Sequence, residues 1–233
     1  MNERDTVDRR GLLRRIGLTG VALAVPVGSA RRGREEPAGE VAPAEDLMRE
    51  HGVLNRVLLV YEECLRRLSA KGSDFPPRSF ADAARIIRSF IEDYHEKLEE
   101  DHLFPRFEKA GRQVELVKTL REQHRAGRLL TDEMIHLAND AGFRNPVDRE
   151  HLRSDITRFI RMYRPHEARE DTVLFPAFRE IVSAHEYASL GEDFEKKEHR
   201  LFGKEGFEGI VEKVAAIEKE LNIYDLAKFT PAG

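Results

Sequence analysis

The chain has 233 residues, 40% of them hydrophobic and 35% charged, with no tryptophan and a formal net charge of -4. That size supports one core, the composition suits a helical bundle better than a sheet protein, and mild acidity without a basic patch argues against nucleic acid as a partner. The single cysteine, Cys64, leaves no disulfide framework and no cysteine-based zinc or iron-sulfur motif, so a metal must be held by nitrogen and oxygen, and no apolar span reaches the roughly twenty residues of a membrane helix.

At the N-terminus, Asp8-Arg9-Arg10-Gly11-Leu12-Leu13-Arg14 resembles the twin-arginine export motif. An apolar run from Ile16 to Val27 follows, and Gly28-Ser29-Ala30 offers small residues to a signal peptidase. Residues 1–30 therefore read as a signal peptide, with the remainder exported to a periplasmic or other extracytoplasmic space. No cysteine follows the run, against lipoprotein anchoring. The twin-arginine route resembles a route for folded proteins, which suits a cofactor loaded before export. Residues 31–43, rich in Gly, Pro, Arg and Glu, read as a flexible linker.

From there the chain is helical nearly throughout, with the main domain over 44–183. Apolar residues from Leu47 to Leu65 recur at helical spacing, which predicts a first helix over 45–68, ended by Lys71-Gly72-Ser73-Asp74-Phe75-Pro76-Pro77. Ser79 is a plausible N-cap for a second helix running to about Phe104, where Pro105 marks a kink or end. A third spans about 113–139, with an apolar stripe of Val114, Val117, Leu120, Leu129, Leu130 and Met134, closed by the loop sequence 141–146. A fourth runs from about Asp148 to Val182, bent by Pro165. Short connections between four long helices predict an all-α, antiparallel up-down-up-down bundle. Residues 184–233 form an extension with one amphipathic helix through Phe207, Ile210, Val211, Val214, Ile217 and Leu221 that packs back on the bundle, while Glu195-Lys196-Lys197-Glu198 reads as a solvated face.

Within the bundle one phrase occurs twice. His95-Glu-Lys-Leu-Glu-Glu-Asp-His-Leu-Phe-Pro-Arg-Phe107 returns 71 residues later as His166-Glu-Ala-Arg-Glu-Asp-Thr-Val-Leu-Phe-Pro-Ala-Phe178, with seven of thirteen positions identical. Each copy pairs a histidine with a glutamate four residues on, a rotation of about 400° that puts both on one helix face. The first helix has one histidine, His51, and the predicted core face of the third offers His124. Together the four helices present His51, His95, Glu99, His124, His166 and Glu170, a nitrogen and oxygen set that suits iron, zinc or manganese. His102 shares a face with His95, but its counterpart in the repeat is Val173; His136, His151, His185 and His199 have no motif context. Tyr94 and Tyr163 flank the histidine pairs, and Phe90, Phe104, Phe159 and Phe175 are candidates for an apolar shell.

This order of His, His-x-x-x-Glu, His and His-x-x-x-Glu, with its two Leu-Phe-Pro sequences, resembles the hemerythrin-like, or HHE cation-binding, domains over about residues 44–182. The resemblance implies an antiparallel four-helix bundle around a non-haem centre of two iron ions, with histidines as terminal ligands and Glu99 and Glu170 bridging. It implies dioxygen or a related small oxidant as partner, whether for carriage, sensing or iron holding; the alternative is a di-iron oxidoreductase removing peroxide or nitric oxide. Two departures stand out. Some members carry a histidine one turn after the third-helix histidine, where this chain has Arg128, and oxygen carriers place an aspartate five residues after the fourth-helix histidine, where this chain has Asp171 beside Glu170. The repeat favours Glu170.

Overall fold

The computed structural model describes residues 42–70 and 75–231; the expected signal peptide, most of the expected linker and the Lys71–Asp74 part of the first turn lie outside the described residues. Helix α1 (Pro43–Ser69) starts inside the expected linker, because Pro43 at the first helical position has the right φ and its missing N–H costs nothing there. Glu45 and Asp46 sit in its first turn and Arg66 and Arg67 in its last, each favourable to the helix dipole. Its buried face runs through Leu47, His51, Leu54, Leu58, Tyr61 and Leu68.

Helix α2 covers residues 77–110 without a break. It starts at Pro77 rather than after a Ser79 cap, and Ser79 is buried within its first turn. Nor does it end at Phe104. The turns are α-helical over Pro77–Ile86, widen to π geometry over Ile87–His95 and Glu99–Leu103, and return to α over Phe104–Ala110. Pro105 would clash with the carbonyl four residues back and lacks a donor for it, and the wider turn over Glu99–Leu103 removes that conflict. The Phe104 N–H accordingly bonds the Glu99 carbonyl five residues back, and two carbonyls of the widened turn accept from arginines: His102 from Arg106 at 2.6 Å and Glu100 from Arg121 at 3.4 Å. Gly111, at φ +62°, ends the helix in the left-handed region.

Helix α3 (Val114–Leu137) buries Val117, Leu120, His124, Gly127, Leu130 and Met134; Val114 and Leu129, expected on that stripe, are 41% and 68% exposed. The expected loop contains a short helix α4 (Asp140–Arg144), capped by the Asn139 side chain on the N–H groups of Ala141 and Gly142. Helix α5 (residues 146–181) is capped by Asn145 and stays α-helical through the exposed Pro165. It widens to π over Glu170–Leu174, with Phe175 N–H on the Glu170 carbonyl, so the second Leu-Phe-Pro repeats the first in geometry as well as in letters.

Helices α1, α2, α3 and α5 form a closed ring in which each packs on the next and α5 returns to α1. Among its described residues the extension holds two α-helices rather than one, followed by a 3-10 turn over Leu226–Phe229: α6 (Ala184–Phe202) buries Leu190 and Phe194, and α7 (Gly206–Glu220) buries Ile210, Val214 and Ile217. Both pack on α1, and α7 also on α2. The predicted solvated run ends on Glu198, which is fully buried and accepts the Phe207 N–H at 3.1 Å; a Cβ at Gly206 would lie 2.2 Å from its carboxylate, which is why the turn between these helices takes glycine. Among the described residues there is no strand. Along the bundle axis, Tyr61, Phe80 and Phe159 fill one side of the histidine level and Phe107 packs on Phe178 on the other.

Candidate metal centre

The repeat supplies one histidine and one glutamate from each of α2 and α5, and α1 and α3 supply one histidine each. All six side chains are at least 96% buried, and the structure brings them to one level of the bundle. The histidines meet in pairs across neighbouring helices: His51 Nε2 lies 3.1 Å from His95 Nε2, and His124 Nε2 lies 3.3 Å from His166 Nε2. The carboxylates lie between the pairs. Glu99 turns Oε1 toward His95 Nε2 at 3.9 Å and Oε2 toward His124 Nε2 at 3.5 Å; Glu170 sets Oε2 3.1 Å from His166 Nε2 and 3.4 Å from His51 Nε2.

Each histidine is oriented by the hydrogen bond at its other nitrogen. Nδ1 of His51 meets Asp171 at 2.7 Å, His95 meets Glu50 at 2.8 Å, His124 meets Glu100 at 3.1 Å and His166 meets the Gln123 side-chain oxygen at 2.8 Å. An Nδ1–H donated outward leaves the Nε2 lone pair of the neutral ring facing inward. The arrangement is two-fold. The residue before each lone histidine, Glu50 or Gln123, holds the repeat histidine of the next helix, and the residue after each repeat glutamate, Glu100 or Asp171, holds the lone histidine. Phe175 stacks on His51 and Phe104 on His124, each pair with centroids 5.5 Å apart.

These residues fit a pair of metal ions. Two donors about 2.1 Å from one ion and at right angles to it lie about 3 Å apart, the spacing of both histidine pairs. Both oxygens of Glu99 and both of Glu170 are buried without a hydrogen-bond partner, an expensive arrangement for a carboxylate that a cation relieves. His51, His95 and Glu99 bring ligand atoms within 4.8 Å of one another, as do His124, His166 and Glu170. The imidazole and carboxylate donors suit iron, zinc or manganese.

The electrostatics of the protein alone show how strained this set is. Burial, together with the nearby Glu170, pushes the Glu99 carboxyl well above the usual carboxylate range. Burial acts on Glu170 in the same direction, but His166 and His51 outweigh it and hold Glu170 well below that range. Burial also opposes charge on His51, yet Asp171 and Glu170 carry its imidazole up to about 10. Burial with the neighbouring His166 takes His124 down to about 4, against Glu100. Two carboxyls this close do not both stay ionised in a dry interior, so one takes a proton and the other takes the imidazolium.

Asp171 thus has a place of its own, as the partner of His51, while Glu170 faces the interior beside the histidines. Arg128 turns to α2, with Nη2 2.7 Å from Glu96 and 2.8 Å from Glu100, and balances two carboxylates that flank the site. Tyr163 donates to the other Glu96 oxygen at 2.7 Å, and Gly127 leaves it room, since a Cβ there would lie 2.0 Å from its hydroxyl. In the other half Asn55 donates to Glu167 at 2.8 Å. His102 stays outside, its ring against Phe194, and His136, His151, His185 and His199 are exposed. Of the four expected shell phenylalanines, Phe104 and Phe175 face histidine rings; Phe159 packs on Tyr163, and Phe90 on Tyr94 and Phe202. Sequence reasoning missed Glu50, Glu100 and Gln123. Their signal was adjacency in register, an acid or amide beside each predicted histidine or glutamate on the helix that faces its partner.

Residues 42–178 match a family described as the hemerythrin HHE cation binding domain. Two relatives, uncharacterized protein Mb2018 of Mycobacterium bovis and uncharacterized protein Rv1995 of Mycobacterium tuberculosis, are each 50% identical to the chain over 192 residues, which is 82% of this chain and 75% of the relative. No solved structure matches the chain.

Proposed function

Because the chain belongs to the hemerythrin HHE cation-binding domain family, we propose that its interior holds two non-haem iron ions and binds dioxygen, for carriage, sensing or iron holding. The observation that carries this reading is Glu99, which presents one buried, unbonded oxygen to each histidine pair. His51 and His95 would hold one ion and His124 and His166 the other, with Glu99 and Glu170 shared. When bound, ferrous iron supplies the electrons and the open coordination position that dioxygen needs.

The rest is work for this chain's residues. Glu50, Asp171, Glu100 and Gln123 fix the four rings with Nε2 inward, so that little ring motion is lost when a metal binds. Phe104 and Phe175 cover two of the rings. Imidazole and carboxylate donors bind a metal only when unprotonated, so uptake weakens as pH falls.

Metal analysis of protein purified without oxygen, with optical spectra before and after oxygen or peroxide, tests the proposal. Two iron ions per chain and a band reversible with oxygen are expected. Repeated turnover of peroxide or nitric oxide would favour the alternative oxidoreductase, and absence of bound metal would exclude both. We further propose export by the twin-arginine route to an extracytoplasmic space, on Arg9 and Arg10 and the apolar run after them. Replacing both arginines by lysine should hold the protein in the cytoplasm on fractionation; unchanged export would exclude that route.

A further inference from the structure

Arg128 makes the inner donors of the two halves equal, since it turns away to Glu96 and Glu100 and leaves each half with two imidazoles and the shared Glu99 and Glu170. The outer partners are not equal. In the first half, His95 Nδ1 meets the fully buried carboxylate of Glu50 at 2.8 Å and His51 Nδ1 meets the carboxylate of Asp171 at 2.7 Å. In the second half, His166 Nδ1 meets a neutral amide, Gln123, at 2.8 Å, and His124 Nδ1 meets Glu100 at the longer distance of 3.1 Å. That last carboxylate is already engaged by Arg128 at 2.8 Å and by Lys97.

An imidazole that donates to a carboxylate pushes more electron density onto its other nitrogen than one that donates to an amide, and is the stronger metal ligand. The formal charges act in the same direction: Glu50 and Asp171 border the first half, while in the second Gln123 is neutral and the two carboxylates, Glu96 and Glu100, share the Arg128 guanidinium, Glu100 also holding the Lys97 ammonium. Because Asp171 is 36% exposed and therefore screened, the buried difference between Glu50 and Gln123 dominates.

We infer that the two halves of the centre differ in metal affinity, the His51–His95 half filling first and the His124–His166 half binding more weakly and releasing its ion first. This rests on the two-ion reading above. Outer partners of this kind change metal affinity by about 10- to 100-fold, which sets the gap expected between the halves.

The test is titration of the metal-free full chain, labelled with 15N at histidine, with zinc, which is diamagnetic and redox-silent, followed by long-range proton–nitrogen NMR. The first equivalent should move the Nε2 resonances of His51 and His95, and the second those of His124 and His166. Gln123→Glu, which keeps the side chain's size, should tighten the weaker step by about 10-fold and Glu50→Gln should loosen the stronger one by as much, closing the gap from opposite sides. A thermal melt shows that each variant is folded. If His124 and His166 move first, or all four histidines move in parallel, the inference is overturned while the two-ion reading stands. Failure to take up two zinc ions per chain would overturn that reading and the inference together.

Discussion

Four imidazoles and two carboxylates meet at one buried level of the bundle, and Glu99 is the group on which burial weighs most. Its carboxyl is pushed up by burial and by Glu170, and neither of its oxygens has a hydrogen bond. Glu99→Gln keeps the volume and the neutral state, so the metal-free melting temperature should stay within about 4 °C of the parent, a change of under about 1 kcal/mol. Metal affinity by equilibrium dialysis should fall by more than about 100-fold, since the anion proposed to be shared by the two ions is lost. Glu92 offers a second test. Burial, only partly offset by Thr131 and Arg88, raises its carboxyl from 4.5 to about 7. The folded state therefore holds a proton that the unfolded chain releases, and this stabilisation is complete below pH 4.5 and lost as pH rises through about 7. In urea denaturation of the metal-free protein, Glu92→Gln should gain stability relative to the parent from pH 5 to 8; a difference that is flat with pH would contradict this. The inner residues were legible because histidine and glutamate four apart share a helix face wherever the helix lies, and the second copy repeats that face in register. Glu50, Glu100 and Gln123 were not, because a polar residue beside a predicted ligand looks like ordinary helix surface until the facing helix shows which nitrogen it meets.

The element that places each glutamate is a widened turn, and its cause is the proline of Leu-Phe-Pro. In both copies the N–H of the phenylalanine before the proline reaches the carbonyl of the glutamate itself, five residues back. By sequence alone Pro105 predicts a kink or a helix end, which is what proline usually produces. What the sequence alone did not reveal is that Arg106 and Arg121 are positioned to take carbonyls of the widened turn, so α2 runs on to Ala110. Replacing Pro105 and Pro176 together by alanine restores two donors and lets both turns relax to α geometry, which would rotate each glutamate relative to the phenylalanines beyond it. Helical content by circular dichroism should be unchanged or slightly higher, while metal affinity falls by at least about 10-fold. Unaltered affinity would mean that the widened turns are not what aims Glu99 and Glu170.

At the scale of the whole molecule, the ring of α1, α2, α3 and α5 builds the centre and the α6–α7 pair covers the outside of α1. Phe194 of α6 is 1% exposed and packs against His102 of α2, and Arg56 of α1 pairs with Glu218 of α7 at 2.9 Å. Phe194→Ala should cost about 3–5 kcal/mol in urea denaturation, as large core truncations do, yet leave metal stoichiometry unchanged, because its ring packs on His102, which lies outside the six-residue set. The sequence by itself determined the helical class, the four long helices and the six residues that face one another, because periodicity, repetition and spacing are local properties of the chain. Only the tertiary structure decided that Pro105 and Pro176 follow widened turns instead of ending their helices, that α6 exists beside α7, that Asp171 holds a ring while Glu170 faces the interior, and that Arg128 balances Glu96 and Glu100. Each of those outcomes depends on a partner from another helix, and in a buried, low-dielectric interior it is the partner that sets the energy of a charge or an unsatisfied carbonyl.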